Sequence, residues 1–223
     1  MQFTPLGDTA VVIEVGTTIR PSTPERVRNL TEVLQADPPA GVVDLVPAYT
    51  SITVFYDLTK IESYEALCAK LKSRTRRVKS TRRGKPRTVN LPVCYGGEYG
   101  PDLAVVAKGA NMTEEMVITL HSRQEYLVQA VGFMPGFAYL SGLPTKLHTP
   151  RLATPRTQVP AGSVGIGGGQ TGVYPIKSPG GWNLLGRTPV TLFAPDAAEP
   201  VLLRVGDTVK FKPISPKDFV AWK

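Results

Sequence analysis

Histidine and cysteine are scarce in this chain, with two of each among 223 residues. Cys68 and Cys94 are too few for a disulfide framework or a cysteine-based metal cluster, and read as two partly buried thiols. His121 and His148 have no metal-ligand partner at usable spacing. No run approaches the ~18 apolar residues of a membrane span. The opening, MQFTPLGDTAVVIEV, lacks the basic-then-apolar layout of a secretory signal, so a cytoplasmic protein is expected. There is no Walker A sequence and no internal repeat. Acid is missing locally too: between Phe133 and Phe193 stand five Lys+Arg and no Asp or Glu.

Positive charge, by contrast, is abundant. The formal net charge is +8, from 26 Lys+Arg against 18 Asp+Glu. Such a balance invites a nucleic-acid or membrane-surface reading. Ten of the basic residues, however, fall between Lys70 and Arg87, where there is no acid. Removing them leaves 16 basic against 18 acidic residues, near −2 for the rest of the chain. The stretch KLKSRTRRVKSTRRGKPR reads as an exposed linker, which places a domain boundary near Gly84. Glycine and proline, 21 of each, make up roughly 19% of the chain against about 12% on average. They concentrate after Gly132 and point to a loop-rich β architecture.

Residues 1–84 read as an α+β domain. Ala10–Val15 is an apolar, β-branched strand. Ser22 to Glu25 starts a helix with Val27, Leu30, Val33 and Leu34 on one face, and Asp37-Pro38-Pro39 stops it. Val42–Val46 and Ile52–Tyr56 follow as strands. Thr59 and Glu62 match a capping box before a second helix through Leu71. The order β-α-β-β-α predicts a ferredoxin-like unit, completed by a strand over Val89–Cys94. Residues 85–223 read as mainly β. Two short helices, one capped by Gly109 and one starting at Thr113, precede strands at Tyr126–Val131, Val164–Ile166, Val190–Phe193 and Val209–Phe211. These predict a closed or nearly closed barrel.

Three motifs match by letter and fail by context. Gly167–Gly172 spells G-x-G-x-x-G, but Val173-Tyr174-Pro175 follows, so no helix can start there. The glycines instead fit a tight hairpin with close backbone approach. Ala161–Gly165 nearly spells a nucleophile elbow around Ser163, again without the helix it needs. Residues 102–122 resemble a helix-turn-helix, but the second helix opens with Glu114 and Glu115, which would face phosphates. DNA binding is not expected.

One region is dense in rigid turns, aromatics and isolated arginines. It runs through GFMPGFAYL, PRLATPR, VPAGSVGI, GGQTGVYP, SPGGW and GRTP, between Gly132 and Pro189. Glycine and proline fix a backbone and preorganise the side chains it carries. Arginines held this way suit carboxylate or phosphate groups. Phe133, Phe137, Tyr174 and Trp182 would wall an apolar pocket. A plainer reading, in which barrel turns merely need glycine and proline, leaves the acid-free arginines unexplained. His121 lies at the edge of a helix's apolar face, which fits a hydrogen-bonded structural histidine and also a proton-transfer group.

These strings, with PAYTSITVFYD at 47–57 and PVCYGGEYGPDL at 92–103, resemble a known family. It joins the B-type component of 5-oxoprolinase, KipI-type kinase inhibitors and the protein labelled allophanate hydrolase subunit 1, and is related to carboxyltransferase domains. The resemblance implies a ferredoxin-like domain, 1–84, and a cyclophilin-like β-barrel, 85–223. It implies partners similar to the C-type and A-type (lactam-utilisation) components of 5-oxoprolinase, and ATP-dependent ring opening of 5-oxo-L-proline to L-glutamate by the assembly. On that reading the chain is inactive alone. Arg151, Arg156 and Arg187 are the expected carboxylate or phosphoryl contacts. Gln170 and Tyr174 would hydrogen-bond the amide, Phe133, Pro135, Phe137 and Trp182 would form the pocket wall, and His121 is the candidate for proton transfer. No metal is implied. Two other activities follow from the same resemblance: inhibition of a sensor histidine kinase, and biotin-dependent carboxyl transfer. No Met-Lys-Met biotinyl site is present, so a carrier would have to come from elsewhere.

Overall fold

A computed structural model describes residues 1–17, 22–76 and 87–222. They fall into two compact units, within Met1–Lys85 and Pro86–Lys223. The central part of the basic stretch, 77–86, lies outside the described residues, and with it the linker expected there.

The first unit contains β1 (Gln2–Pro5), β2 (Ala10–Glu14), α1 (Ser22–Ala36), β3 (Val42–Pro47), β4 (Ser51–Tyr56) and α2 (Tyr64–Thr75). Its sheet is antiparallel in the order β1-β2-β4-β3. Alternation along the strands puts Val11, Ile13, Ile52 and Val54 on one face. Val27, Leu30 and Leu34 of α1 and Leu67, Cys68 and Leu71 of α2 pack against that face. Arg74 closes the pair of helices, its Nε donating to the Asp37 carbonyl at 2.7 Å and pairing with the Asp37 carboxylate. A cation beside a helix C-terminus is favoured by the local dipole.

Two expectations fail in this unit. The strand expected to complete the sheet, Val89–Cys94, lies in the second unit, and β1 holds the fourth place instead. A strand's apolar pattern shows that it will be buried but not which sheet buries it. The capping pair Thr59/Glu62 also does not form. Asp57 caps a short 3₁₀ turn through Thr59, and the N-cap of α2 is Ser63, whose Oγ accepts from the Ala66 N–H at 3.0 Å.

The second unit contains β5 (Thr88–Tyr95), α3 (Leu103–Gly109), α4 (Glu114–Ser122), β6 (Tyr126–Val131), β7 (Ala138–Ser141), β8 (Arg156–Val159), β9 (Ser163–Gly167), β10 (Gln170–Val173), β11 (Ser178–Gly180), β12 (Asn183–Arg187), β13 (Thr208–Pro213) and α5 (Pro216–Ala221). Seven strands close a barrel in the order β10-β7-β6-β13-β5-β12-β9. Within it β5 and β13 run parallel. Val93, Val128, Leu140, Val164, Ile166, Leu185 and Phe211 fill the core, to which α3 and α4 add Leu103, Val106 and Val117. Val190–Phe193, expected as a strand, makes only an isolated bridge from Phe193 to Val201. A second apolar cluster, of Phe137, Val159, Tyr174, Trp182 and Leu184, is separate from this core. Next to it, β8 and β11 form a two-stranded ribbon.

The turn between α3 and α4 depends on Asn111 rather than Gly109. Asn111 adopts φ +53°, the Met112 N–H reaches the Ala107 carbonyl at 2.9 Å, and the Asn111 N–H reaches the Lys108 carbonyl at 3.2 Å. This is the bonding of a Schellman cap, with asparagine in the left-handed position. Asn111→Val should therefore destabilise the chain by about 1–2 kcal/mol, whereas Asn111→Gly should change little. Urea unfolding of the two variants checks this.

Candidate functional site

The indole of Trp182 lies against a glycine surface. A Cβ on Gly167 would stand 2.8 Å from the indole, and one on Gly172 would stand 3.0 Å from it. A Cβ on Gly165 would come within 3.3 Å of the Trp182 Cβ. Side chains at these positions of β9 and β10 would occupy the space of the ring. The G-x-G-x-x-G string therefore serves ring packing. Gly168, at φ +62°, makes the tight hairpin turn, and a Cβ on Gly169 would meet the His148 ring at 3.0 Å.

Around this indole is a cavity of about 320 Å³. Phe137 meets Trp182, Tyr174 and Tyr139 edge to face, with ring centroids 5.5, 5.2 and 4.8 Å apart. Arg151 holds its guanidinium 5.8 Å from the centre of the Trp182 ring. Pro179, Gly180 and Gly181 form another wall, together with Leu152 and Pro155. A Cβ on Gly180 would fall 2.5 Å from the Tyr174 hydroxyl, so the wall approaches that hydroxyl as backbone alone. Burial pushes the Tyr174 hydroxyl pKa up, and it is held as a neutral phenol. Phe133 stands at the rim, 67% exposed, edge-on to Phe137 and at φ +69°. A large residue in the left-handed region stores backbone strain, which places an exposed aromatic at the mouth of the cavity.

Five sequence-predicted residues meet here: Phe133, Phe137, Arg151, Tyr174 and Trp182. The other five do not line this cavity. Pro135 is exposed in the turn between β6 and β7, and Gln170 opens β10 at the hairpin. Arg187 lies over Tyr99, 5.6 Å from the ring centre. Arg156 is committed to an ion pair, its Nη2 donating to Asp102 Oδ1 at 2.7 Å.

Asp102 is a part of the site that the sequence did not mark. It is nearly buried, and its Oδ2 accepts from the Leu184 N–H at 2.7 Å. Leu184 is two residues from Trp182, and Arg156 stands opposite Gly180 in the β8–β11 register. One carboxylate thus holds both the indole segment and the glycine wall. No sequence signal singled it out, because Glu98, Glu114, Glu115 and Glu125 also precede the acid-free, arginine-bearing region.

His121 is fully buried in the barrel core, stacked on Phe211 with ring centroids 4.8 Å apart. Its Nδ1 lies 2.8 Å from the Tyr95 hydroxyl and its Nε2 lies 3.0 Å from Thr171 Oγ1. Thr171 gives its own proton to the Gly165 carbonyl at 3.0 Å. The Nε2 therefore donates to Thr171, and Nδ1 accepts from Tyr95. Burial pushes the His121 pKa down to about 3, so the ring is neutral. The structure does not bring it to the cavity. Its place at the edge of an apolar helix face became full burial because β13 covers that edge with Phe211. Among the described residues no group of three His, Cys, Asp or Glu could hold a metal.

The unfolded chain takes up a proton at His121 near pH 6.5, while the folded chain resists until about pH 3. The histidine therefore costs no stability above pH 6.5, and stability falls as the pH drops from 6.5 toward 3. Urea midpoints between pH 7 and pH 4 should show that slope, and His121→Gln should be less stable at pH 7 with a shallower slope. Asp102→Asn should loosen the Trp182 segment. With Trp222→Phe removing the other indole, its emission should shift to the red at unchanged far-UV circular dichroism.

The family described as carboxyltransferase domain, subdomain C and D, has a model that matches residues 1–203. A Bacillus subtilis (strain 168) protein, named as the B-type component of 5-oxoprolinase, is 42% identical, across 100% of this chain and 96% of its own length. Its namesake in Escherichia coli O157:H7 is 46% identical, across 93% of this chain and 94% of its own. The crystal structure of TTHA0988 superposes with a TM-score of 0.81 at 37% identity, over 92% of this chain. This chain spans 40% of the length of TTHA0988. With a family model spanning most of its length and near-full-length relatives above 40% identity, the chain belongs to the 5-oxoprolinase B-component family of carboxyltransferase-type domains.

Proposed function

We propose that this chain is the component of an ATP-dependent, cytoplasmic 5-oxoprolinase whose aromatic cavity receives 5-oxo-L-proline for ring opening to L-glutamate. The observation that carries the reading is Arg151 on the Trp182 face, at a cavity with no acid among the described residues of its lining. A small anionic ring suits it: the guanidinium takes the carboxylate, and the aromatic walls take the ring's methylene carbons. The two units are read as a ferredoxin-like domain, with β1 in place of the last strand, and a cyclophilin-like barrel.

A lactam is a poor electrophile. Transfer of the γ-phosphoryl group of ATP to its oxygen makes the ring carbon attackable and turns that oxygen into a leaving group. Water then adds at this carbon, the ring C–N bond breaks and the nitrogen takes a proton, which leaves an acyl phosphate, and a second water hydrolyses that to the glutamate carboxylate and inorganic phosphate. Such chemistry depends on positioning and charge neutralisation. This chain's residues contribute the first, with Arg151 orienting the substrate carboxylate and Phe137, Tyr174 and Trp182 excluding water. The neutral Tyr174 hydroxyl is a polar group in the wall available to the amide. Among the described residues neither a carboxylate nor a histidine lines the cavity to act as a base. Partners of the C and A types are proposed to supply the base and to share the nucleotide, so the chain alone turns nothing over. The family's carboxyltransferase description supports a second reading, carboxyl transfer from a biotin carrier. Co-purification of a biotinylated protein separates the two.

The reconstituted assembly should release glutamate and ADP only when this chain is present. Arg151→Gln should raise the KM for 5-oxoproline by roughly tenfold or more, with a smaller effect on kcat. Absence of turnover with all components present, or full turnover without this chain, overturns the reading.

A further inference from the structure

We infer a second binding site, for a phosphate-type oxyanion, built from Arg187, Ser163 and Arg156 and distinct from the aromatic cavity. The ground is hydrogen-bond accounting. Buried polar groups are almost always paired, so an unpaired one calls for an explanation, and a bound ion or ligand is one. Among the described residues, three of the five buried side-chain polar atoms without a partner are Arg187 Nε, Ser163 Oγ and Arg156 Nη1. All three carry protons to donate, and two carry positive charge.

Two of them lie on the barrel wall and the third on the β8–β11 ribbon, and both arginines lead to one segment of chain. Ser163 of β9 and Arg187 of β12 stand directly opposite in the strand register, which places their side chains on the same face. Ser163 has no solvent exposure. A Cβ on Gly162 would come 3.3 Å from Arg187 Cγ, so the arginine stem runs beside the turn that leads into Ser163. Arg187 and Arg156 both reach the segment 99–102, the first over the Tyr99 ring and the second at Asp102. This segment is pressed onto β12, where a Cβ on Gly100 would stand 2.0 Å from the Leu185 carbonyl.

The charges do not balance there. Asp102 neutralises Arg156 and also accepts from the Leu184 N–H, so both its oxygens are engaged. Arg187 Nε has no hydrogen-bond partner, and its guanidinium rests over the Tyr99 ring. A partly buried guanidinium without a counter-ion is costly, and a small oxyanion removes that cost. A tetrahedral oxyanion offers acceptors in several directions, which suits donors arriving from two strands and a ribbon. The site does not depend on which molecule the aromatic cavity takes.

The full-length chain, purified free of phosphate, is titrated with inorganic phosphate by calorimetry at fixed ionic strength. One saturable site is expected. Arg187→Gln should weaken it at least about tenfold and Ser163→Ala about threefold, while Arg151→Gln leaves it intact. Circular dichroism checks folding, and Arg187→Lys replaces Arg187→Gln if the latter does not fold. ADP binding with the same dependence on Arg187 would identify the phosphate as nucleotide-borne, and phosphate binding without ADP binding would identify the free ion. No saturable phosphate binding, equal competition by chloride, or a loss in Arg151→Gln but not in the Arg187 and Ser163 variants overturns the inference.

Discussion

The contact between one indole and three glycines organises the second unit. Trp182 packs on the barrel wall because Gly165, Gly167 and Gly172 leave room where β9 and β10 would otherwise carry side chains. Glycine inside a strand sacrifices packing and increases the entropy lost on folding. Here the lost packing is replaced by the face of an indole, the largest kind of side chain. From that position Trp182 supplies an edge partner for Phe137 and a π face for Arg151. The cavity is therefore a consequence of the wall's composition, and the loops around it complete what the glycine surface begins.

A second constraint keeps that arrangement in register. The two oxygens of Asp102 bind different elements, the β12 backbone at Leu184 and the β8 side chain of Arg156. A carboxylate that accepts two charge-assisted or backbone bonds in a partly buried setting holds its partners more firmly than a surface pair does. Since Arg156 faces Gly180 across the β8–β11 ribbon, the glycine wall and the indole are positioned from a common point. Mutation of Asp102 would thus act on the cavity from behind without touching its contents.

Much of this was legible in the sequence, for reasons that are physical. Period-two apolar patterns in Tyr126–Val131 and Val209–Phe211 place strands with one face inward, and dense glycine and proline exclude long helices. The aromatics of the cavity were legible because rigid turns on either side of them leave few ways to hide such large rings. What escaped was pairing. Whether 88–95 joins the first sheet or the barrel depends on β12 and β13, roughly 90 to 120 residues away, and its own pattern is the same in either case. The three arginines looked equivalent, yet Arg156 is bound to an acid 54 positions earlier, and only Arg151 reaches the cavity. Helix caps failed on a smaller scale. Ser63 displaced Thr59, and Asn111 displaced Gly109, because a cap is decided by local dihedral angles that composition only hints at.

The division of the arginines bears on how such a protein takes part in chemistry. In one place a cation sits on an aromatic face and remains available at a cavity mouth. In the other, a cation is withdrawn into the wall with an unpaired donor. The first arrangement orients a ligand that comes and goes, because a cation–π contact leaves every N–H free to bond it. The second favours an ion that stays long enough to offset a buried charge. With neutral Tyr174 in the cavity lining and His121 enclosed in the core, the described lining of the cavity holds no carboxylate or histidine to move protons. On the proposed function, recognition falls to this chain and the proton chemistry to a partner.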